Sequence, residues 1–295
     1  MTSNHEGYSQ TDNLPLKLAC ADFSFPLVSH DESFDIIAML GFNGIDIGLF
    51  PGRSHFQLNN FINDIENSAY DLSTKVKDRG LEIADIFFQP SSELDKLAPN
   101  HPNKEQRTKW RDLFQRTLEF TACCGASHVT TLPGIHFKDE EHVDSLKRAC
   151  DELSWCAEKA TEMNIILAVE PHMWSITPTT RLVKVLIEMS DNLTLTLDYG
   201  HFTAQGEPDQ TIEPLIRYAS HFHARASCLD FLQTTMANNT INFPQIIKAM
   251  QNYEYSGYIG VEYVRMEIDI APDVDNISET ILMRDLFISS WKTNL

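Results

Sequence analysis

Eight short apolar runs alternate with longer amphipathic segments along this chain, and that alternation constrains the fold more than any other feature. The runs are rich in Ile, Val, Leu, Thr and Phe, a composition typical of buried parallel strands. They are LKLACADFSF (from Leu16), GIDIGLF (from Gly44), LEIADIFFQ (from Leu81), HVTTLPGI (from His128), IILAVEPHMW (from Ile165), LTLTLDYGHF (from Leu193), SHFHARAS (from Ser220) and YIGVEYV (from Tyr258). The pattern predicts a protein of the α/β class.

The segments between these runs have helical periodicity. We predict helices over residues 31–40, 60–79, 104–124, 139–163, 179–189, 209–219, 243–253 and 278–290. Eight strand–helix units favour a closed (β/α)₈ TIM barrel, a single domain over residues 15–295 behind a flexible tail of residues 1–14. A doubly wound sheet is the structural alternative. No GxGxxG follows the first run, however, and no GxxxxGK[ST] occurs in the chain.

Charge and composition limit the classes of molecule that this protein is expected to bind and the compartment in which it is expected to lie. The chain has 23 Lys and Arg against 42 Asp and Glu, a net charge of −19, which disfavours nucleic acid and anionic membrane surfaces. No run approaches the length of a membrane span, and the polar N-terminus does not resemble a secretory signal. The six cysteines form no CxxC pair, so we expect reduced thiols and a cytoplasmic protein.

The last four runs each end in a charged or metal-binding side chain: Glu170, Asp198, His223 and Glu262. In a barrel these positions meet at the carboxyl ends of the strands, where active sites lie. Three buried carboxylates would repel one another, and each would be costly without a partner. A single divalent cation resolves both costs. The mixed O and N donors suit Mn²⁺, which we take as the first choice, or Mg²⁺, Co²⁺ or Zn²⁺.

The order Glu, Asp, His, Glu on these strands resembles the xylose-isomerase-like barrel superfamily. The strings VEPH, LTLDYGHF, SHFHAR and DNISET are similar to its sugar isomerase/epimerase branch, and the resemblance runs from about Leu16 to Trp291. The superfamily also includes sugar-phosphate isomerases, ketose 3-epimerases, hydroxypyruvate isomerases, inosose dehydratases and apurinic-site endonucleases.

The resemblance implies that the four strand-end residues bind the metal ion and that Glu170 and Glu262 also exchange protons with the substrate. It further implies substrate contacts from His201, in the DxxH pattern, and from Arg225. One position departs from the ketose 3-epimerases, which have a second Glu where this chain has Ile176. That departure weakens the 3-epimerase assignment and leaves the metal site intact.

General chemistry agrees with this resemblance. A metal ion that chelates adjacent hydroxyl and carbonyl oxygens stabilises the enediolate formed when a carbon-bound proton is lost. Carboxylates on both sides of the substrate remove and return that proton. The leading hypothesis is therefore a sugar or cyclitol isomerase/epimerase of carbohydrate metabolism. Expulsion of a β-hydroxyl instead would make the enzyme a lyase or dehydratase, which is the alternative.

Two remoter hypotheses are an apurinic-site endonuclease and a non-catalytic sugar-binding barrel. The first needs further histidines, yet the third run ends in FFQP and the chain is acidic. The second does not explain two base carboxylates. Barrels of this kind often associate into homo-oligomers.

Several residues near the predicted rim are candidate substrate contacts. His172 shares the face of Glu170 two residues on, and we count it with the substrate-binding residues. Weaker candidates are Trp174, Phe50, Arg53, His55, Gln89 and His136. His221 lies one pleat deeper than His223, which favours a role in the core or in support of the metal ligand.

Overall fold

The computed structural model describes residues 16–265 and 268–293. The predicted tail of residues 1–14 lies outside this range. Eight parallel strands form a closed barrel in sequential order, with β1 bonded to β8. The strands are β1 (Lys17–Ala21), β2 (Gly44–Leu49), β3 (Glu82–Phe88), β4 (His128–Thr131), β5 (Ile166–Val169), β6 (Thr194–Asp198), β7 (Ala219–Ala224) and β8 (Tyr258–Val261). The β1–β8 pairing confirms the TIM barrel and excludes the open doubly wound sheet.

Helices cover the outside of the barrel. They are α1 (His30–Met39), α2 (Leu58–Phe61), α3 (Ile65–Lys77), α4 (Lys104–Cys124), α5 (His142–Glu162), α6 (Thr180–Glu188), α7 (Gly200–Thr203), α8 (Asp209–Ile212), α9 (Phe243–Asn252) and α10 (Asn276–Thr293). Short 3₁₀ turns span Asp22–Ser24, Glu213–Tyr218 and Met236–Asn238. None of the helices in the described ranges is long and apolar enough to cross a membrane.

The core lies between the barrel and its helices. Alternate strand side chains such as Ile45, Ile47 and Leu49 point outward and join one large apolar cluster. The other set points into the barrel, and there many side chains are polar. The same two-residue period therefore gives the barrel an apolar outer surface and a polar interior.

The predicted helix over residues 104–124 agrees with α4 at both ends. Its first turn is capped by the Asn103 side chain, which accepts a hydrogen bond from the amide of Glu105. It ends at Gly125, whose φ of 74° is the left-handed conformation that favours glycine.

Two predicted helices are wrong in part. Residues 60–79 form α2 and α3 instead of one helix, because Asp64 has a non-helical φ of −154° and its carboxylate accepts bonds from Asn67. Residues 209–219 form α8 and a 3₁₀ turn, and Ala219 already belongs to β7. Pro214 lies at the start of that turn and has no amide hydrogen to continue an α-helix.

All six cysteines are free, as predicted. Four are buried (Cys20, Cys124, Cys150 and Cys156), whereas Cys123 is exposed and Cys228 is partly exposed. The buried thiols pack as small apolar groups.

Candidate metal and substrate site

The four predicted metal ligands meet at the carboxyl ends of β5 to β8. Asp198 is the last residue of β6 and His223 lies within β7. Glu170 and Glu262 come directly after β5 and β8, and their amides donate to the carbonyls of Thr131 and Ala224, each at 2.9 Å. The sheet bonding thus extends one residue beyond these strands and fixes the backbone of both glutamates.

Their side chains converge on His223. The Nδ1 atom of His223 lies 2.6 Å from Oε1 of Glu170 and 3.0 Å from Oε2 of Glu262. Arg225 Nη2 donates to Oδ2 of Asp198 at 2.5 Å and to Oε2 of Glu262 at 3.0 Å. All of these side chains are buried, so the three carboxylates interact with the Arg225 guanidinium and the His223 ring rather than with water.

Burial and neighbouring charges move the site's pKa values in different directions. Burial raises the pKa of Glu170 and of Asp198, against the opposing charges of His223 and Arg225 respectively. Burial acts the same way on Glu262, but Arg225 and His223 outweigh it and its pKa falls below the ordinary value. Burial would lower the pKa of His223, yet Glu262 and Glu170 hold it well above the usual range. The site therefore contains carboxyl groups in two electrostatic environments.

The donor atoms fit a divalent cation. Oxygen and nitrogen atoms of Glu170, His223 and Glu262 lie within 4.8 Å of one another, and so do those of Glu170, Asp198 and His201. Carboxylate oxygens with one or two imidazole nitrogens are donors that Mn²⁺ and related ions accept. The second group includes His201, predicted as a substrate contact, whose Nε2 is 3.6 Å from Oδ2 of Asp198.

His172 and His201 form a neutral pair beside the carboxylates. Their ring centres are 5.7 Å apart. Burial lowers the pKa of each ring to about 3, and the charge of a neighbour lowers it further: His201 acts on His172, and Arg225 acts on His201. The amide of Trp174 donates to Nδ1 of His172 at 3.3 Å, which leaves the ring proton on Nε2. Within the described residues that Nε2 and Nδ1 of His201 are buried without a hydrogen-bond partner. Both rings can therefore bond substrate hydroxyls.

A cleft of about 810 Å³ opens above these groups. Its polar lining includes Glu170, His172, His201, Arg225 and Glu262. Apolar walls come from Phe23, Phe50, Phe87, Leu132, Trp174 and Val264. A small polyhydroxylated molecule fits a space of this size and mixed lining.

The weaker sequence candidates separate into two groups. Trp174, Phe50, Arg53, His55 and Gln89 line the cleft, and Arg53 donates to Gln89 at 3.1 Å. His136 does not line this cleft, because its Nε2 bonds the carbonyl of Glu140 at 3.0 Å instead. The position at which the 3-epimerases have a second Glu is occupied here by the fully buried Ile176, which offers no carboxylate.

Sequence reasoning missed the acids inside the barrel. Asp46 on β2 contacts Nε2 of His221 at 3.1 Å, and Asp85 on β3 contacts Nδ1 of His128 at 2.6 Å. Both acids are fully buried. The signal was available, since each acid interrupts an apolar run on its inward face, but neither lies at a strand end. His221 occupies the deeper position that its spacing predicts.

Comparisons with known proteins agree with this architecture. Three similar solved structures are an L-ribulose 3-epimerase (TM-score 0.75, 18% identity, 95% of each chain covered), a 3-keto-D-glucoside 4-epimerase from E. coli (0.68, 16%, 94% of this chain and 99% of that one), and a probable 3-DHS dehydratase from Bacillus anthracis (0.70, 16%, 91% and 99%). At these identities the likeness shows the fold alone. The search of curated proteins gave no match.

A family model gives the assignment that these distant likenesses do not. The model described as "xylose isomerase-like TIM barrel" matches residues 34–285, which is most of the chain. That match covers the seven strands β2 to β8 and the four converging strand-end residues. The chain belongs to the xylose isomerase-like TIM barrel family.

Proposed function

We propose that this protein is a divalent-metal-dependent isomerase or epimerase of sugars or keto-cyclitols. The observation that carries the proposal is the pair Glu170 and Glu262, whose carboxylates both contact Nδ1 of the buried His223 and line the same cleft. Two structural relatives are epimerases of a ketose and a keto-glucoside, which supports the substrate class. We take Mn²⁺ as the preferred ion.

Glu170, Asp198, His223 and Glu262 would hold the cation. When bound, it supplies positive charge next to the oxygens that become negative when the substrate loses a carbon-bound proton. The remaining chemistry belongs to the side chains. Glu170 and Glu262 follow β5 and β8, two strands separated by β6 and β7, and both line the cleft, so either carboxylate can exchange a proton with a substrate bound there.

One glutamate removes the proton and the substrate passes through an enediolate. Return of a proton to the opposite face of the same carbon gives the epimer, and return to the neighbouring carbon gives the aldose or ketose isomer. His172 and His201, both neutral, bond substrate hydroxyls and fix which carbon lies between the carboxylates. Trp174 and Phe50 cover the substrate and exclude water from the charged intermediate.

Deuterium wash-in tests this proposal. The protein, loaded with Mn²⁺, is incubated in D₂O with a panel of ketoses and keto-cyclitols, and carbon-bound deuterium is measured by mass spectrometry. We expect incorporation with at least one panel member and a loss of about 10²- to 10⁴-fold in Glu262→Gln, because a glutamine cannot accept the proton. Glu170→Gln should behave in the same way.

Glu152→Gln is the matched control. Glu152 is a buried glutamate too, but it contacts Arg107 and Arg111 outside the cleft. It should keep the wild-type exchange rate. Exchange accompanied by loss of a hydroxyl group would instead support the dehydratase alternative, and no exchange with any substrate would contradict the proposal.

A further inference from the structure

Asp46 lies inside the barrel, directly below the proposed cation site. It is fully buried on β2, where the pairing with β3 shifts register between Ile45 and Asp46. Its Oδ2 atom is 3.1 Å from Nε2 of His221 and 3.9 Å from Nε2 of His223. Oδ1 of Asp46 and Nε2 of His223 are both buried and, within residues 16–265 and 268–293, neither has a hydrogen-bond partner.

The two nitrogens of His223 face different parts of the site. Nδ1 faces Glu170 and Glu262, whereas Nε2 faces Asp46. An imidazole that binds a cation through Nδ1 has its proton on Nε2, and that proton needs an acceptor in a buried site. Asp46 is the carboxylate that faces Nε2 of His223 and can accept this proton. A movement of about 1 Å would bring the 3.9 Å separation into hydrogen-bond range.

Gly260 on β8 leaves the space that this carboxylate occupies. Gly260 pairs with His223 in the sheet, and a Cβ atom built on it would lie 2.0 Å from Oδ2 of Asp46. It would also lie 3.0 Å from Nε2 of His221. Any larger residue at position 260 would therefore displace the Asp46 carboxylate, although the backbone conformation itself does not require glycine.

A second buried acid–histidine contact in this barrel involves none of the proposed cation ligands. Asp85 contacts Nδ1 of His128, whose Nε2 bonds Oγ of Ser220 at 2.8 Å. Asp85 is as buried as Asp46, but its partner is not one of the four converging residues. It therefore offers a matched control.

We propose that Asp46 is a positioning residue for the cation site. Its carboxylate accepts a hydrogen bond from Nε2 of His223 and so directs Nδ1 of that ring towards the ion. This role rests on the metal site of the proposed function. It adds to that site a residue from β2, a strand that contributes none of the four proposed ligands. The carboxylate selects the Nε2–H tautomer, fixes the ring angle and makes Nδ1 a better donor.

The dissociation constant for Mn²⁺ tests the role without reference to activity. It is measured by competition with a fluorescent chelator on wild type, Asp46→Asn and Asp46→Ala, with Asp85→Asn and Asp85→Ala as controls. We expect Asp46→Ala to weaken binding roughly 10- to 100-fold, because Nε2–H loses its acceptor. Asp46→Asn should lose less, since its amide oxygen still accepts, and it retains the shape needed to fold.

The Asp85 variants should keep the wild-type constant within about twofold, since Asp85 does not contact His223. An equal loss in the Asp85 variants, or an unchanged constant in both Asp46 variants, would overturn the role. So would two Mn²⁺ equivalents in wild type with one lost in Asp46→Ala, because Asp46, His221 and His223 would then be ligands of a second ion.

Gly260→Ala gives an independent test through the same contact. We expect it to weaken Mn²⁺ binding in wild type but to add little in the Asp46→Ala background, because the group it displaces is already gone. Fully additive losses would contradict the proposal. A wild-type protein that binds no Mn²⁺ would remove the proposed function and this role together, whereas tight wild-type binding that ignores Asp46 would remove only this role.

Discussion

At the scale of single residues, the site is a compact arrangement of buried charges. Arg225 is the side chain that links two of the proposed ligands, Asp198 and Glu262, through one nitrogen. The resemblance implied a substrate contact for Arg225, and its place in the cleft lining is compatible with that. Its contacts add a second role, since the guanidinium offsets the repulsion between carboxylates that face one another in a low-dielectric site.

Removal of this guanidinium should destabilise the fold. In Arg225→Gln two buried carboxylates lose their cationic partner, and we expect the free energy of unfolding to fall by about 3–5 kcal/mol. Urea unfolding in the presence of a chelator measures this loss in the free energy of unfolding. Arg79→Gln is the control, because Arg79 pairs with the exposed Asp35 and should cost no more than about 1 kcal/mol. Equal losses in the two variants would contradict the idea that burial makes the Arg225 contacts critical.

At the scale of elements, loops at the barrel mouth are fixed by individual buried side chains. Asn100, which precedes α4, is fully buried and bonds both backbone groups of Ile135 in the loop after β4, as donor at 2.7 Å and acceptor at 3.1 Å. It also donates to the carbonyl of Ser145 in α5 at 3.2 Å. Gly134 makes room for it, since a Cβ there would lie within 2.1 Å of the Asn100 side chain. One side chain thus joins three segments.

Asn100→Ala should therefore cost about 1–3 kcal/mol of stability, because it leaves an amide and two carbonyls buried without their partners. Differential scanning calorimetry would detect this. In Asn67→Ala, by contrast, an exposed asparagine that among residues 16–265 and 268–293 bonds the Asp64 side chain alone is lost, and the change should lie within about 0.5 kcal/mol. A similarly small effect of Asn100→Ala would show that solvent replaces those bonds.

The elements themselves were predictable to different degrees. The predicted ends of α4 agree with the structure, in which Asn103 and Gly125 cap the helix and act as local end signals. The break between α2 and α3 was not predicted, since the apolar spacing of residues 60–79 continues across it and Asp64 ends the helix through its own backbone angle. Pro214 is a local signal against a continuous helix over residues 209–219, but the helical periodicity of that segment led to the prediction of one.

At the scale of the whole molecule, the net charge of −19 opposes compaction. Many of the ion pairs are exposed, and each contributes little to stability. Added salt weakens these pairs but also screens the repulsion between the excess negative charges, and we expect the second effect to be larger. We expect the melting temperature in chelator to rise by roughly 2 °C, or about 1 kcal/mol of stability, between about 10 mM and 150 mM NaCl. Scanning fluorimetry with an equal osmolarity of sucrose as control measures it. A fall in melting temperature would show that the ion pairs dominate.

The sequence by itself determined the barrel and the approximate place of its site. Eight apolar runs separated by helices have few ways to close, and a period of two residues puts Glu170, Asp198, His223 and Glu262 on the inward face at the strand ends. Only the tertiary structure decided which atoms meet. Asp46 and His223 are 177 positions apart in the sequence, and their proximity depends on the closure of β1 onto β8 and on the register shift in β2. Periodicity is a local property, whereas distances across a barrel are set by register and closure, which no short segment encodes.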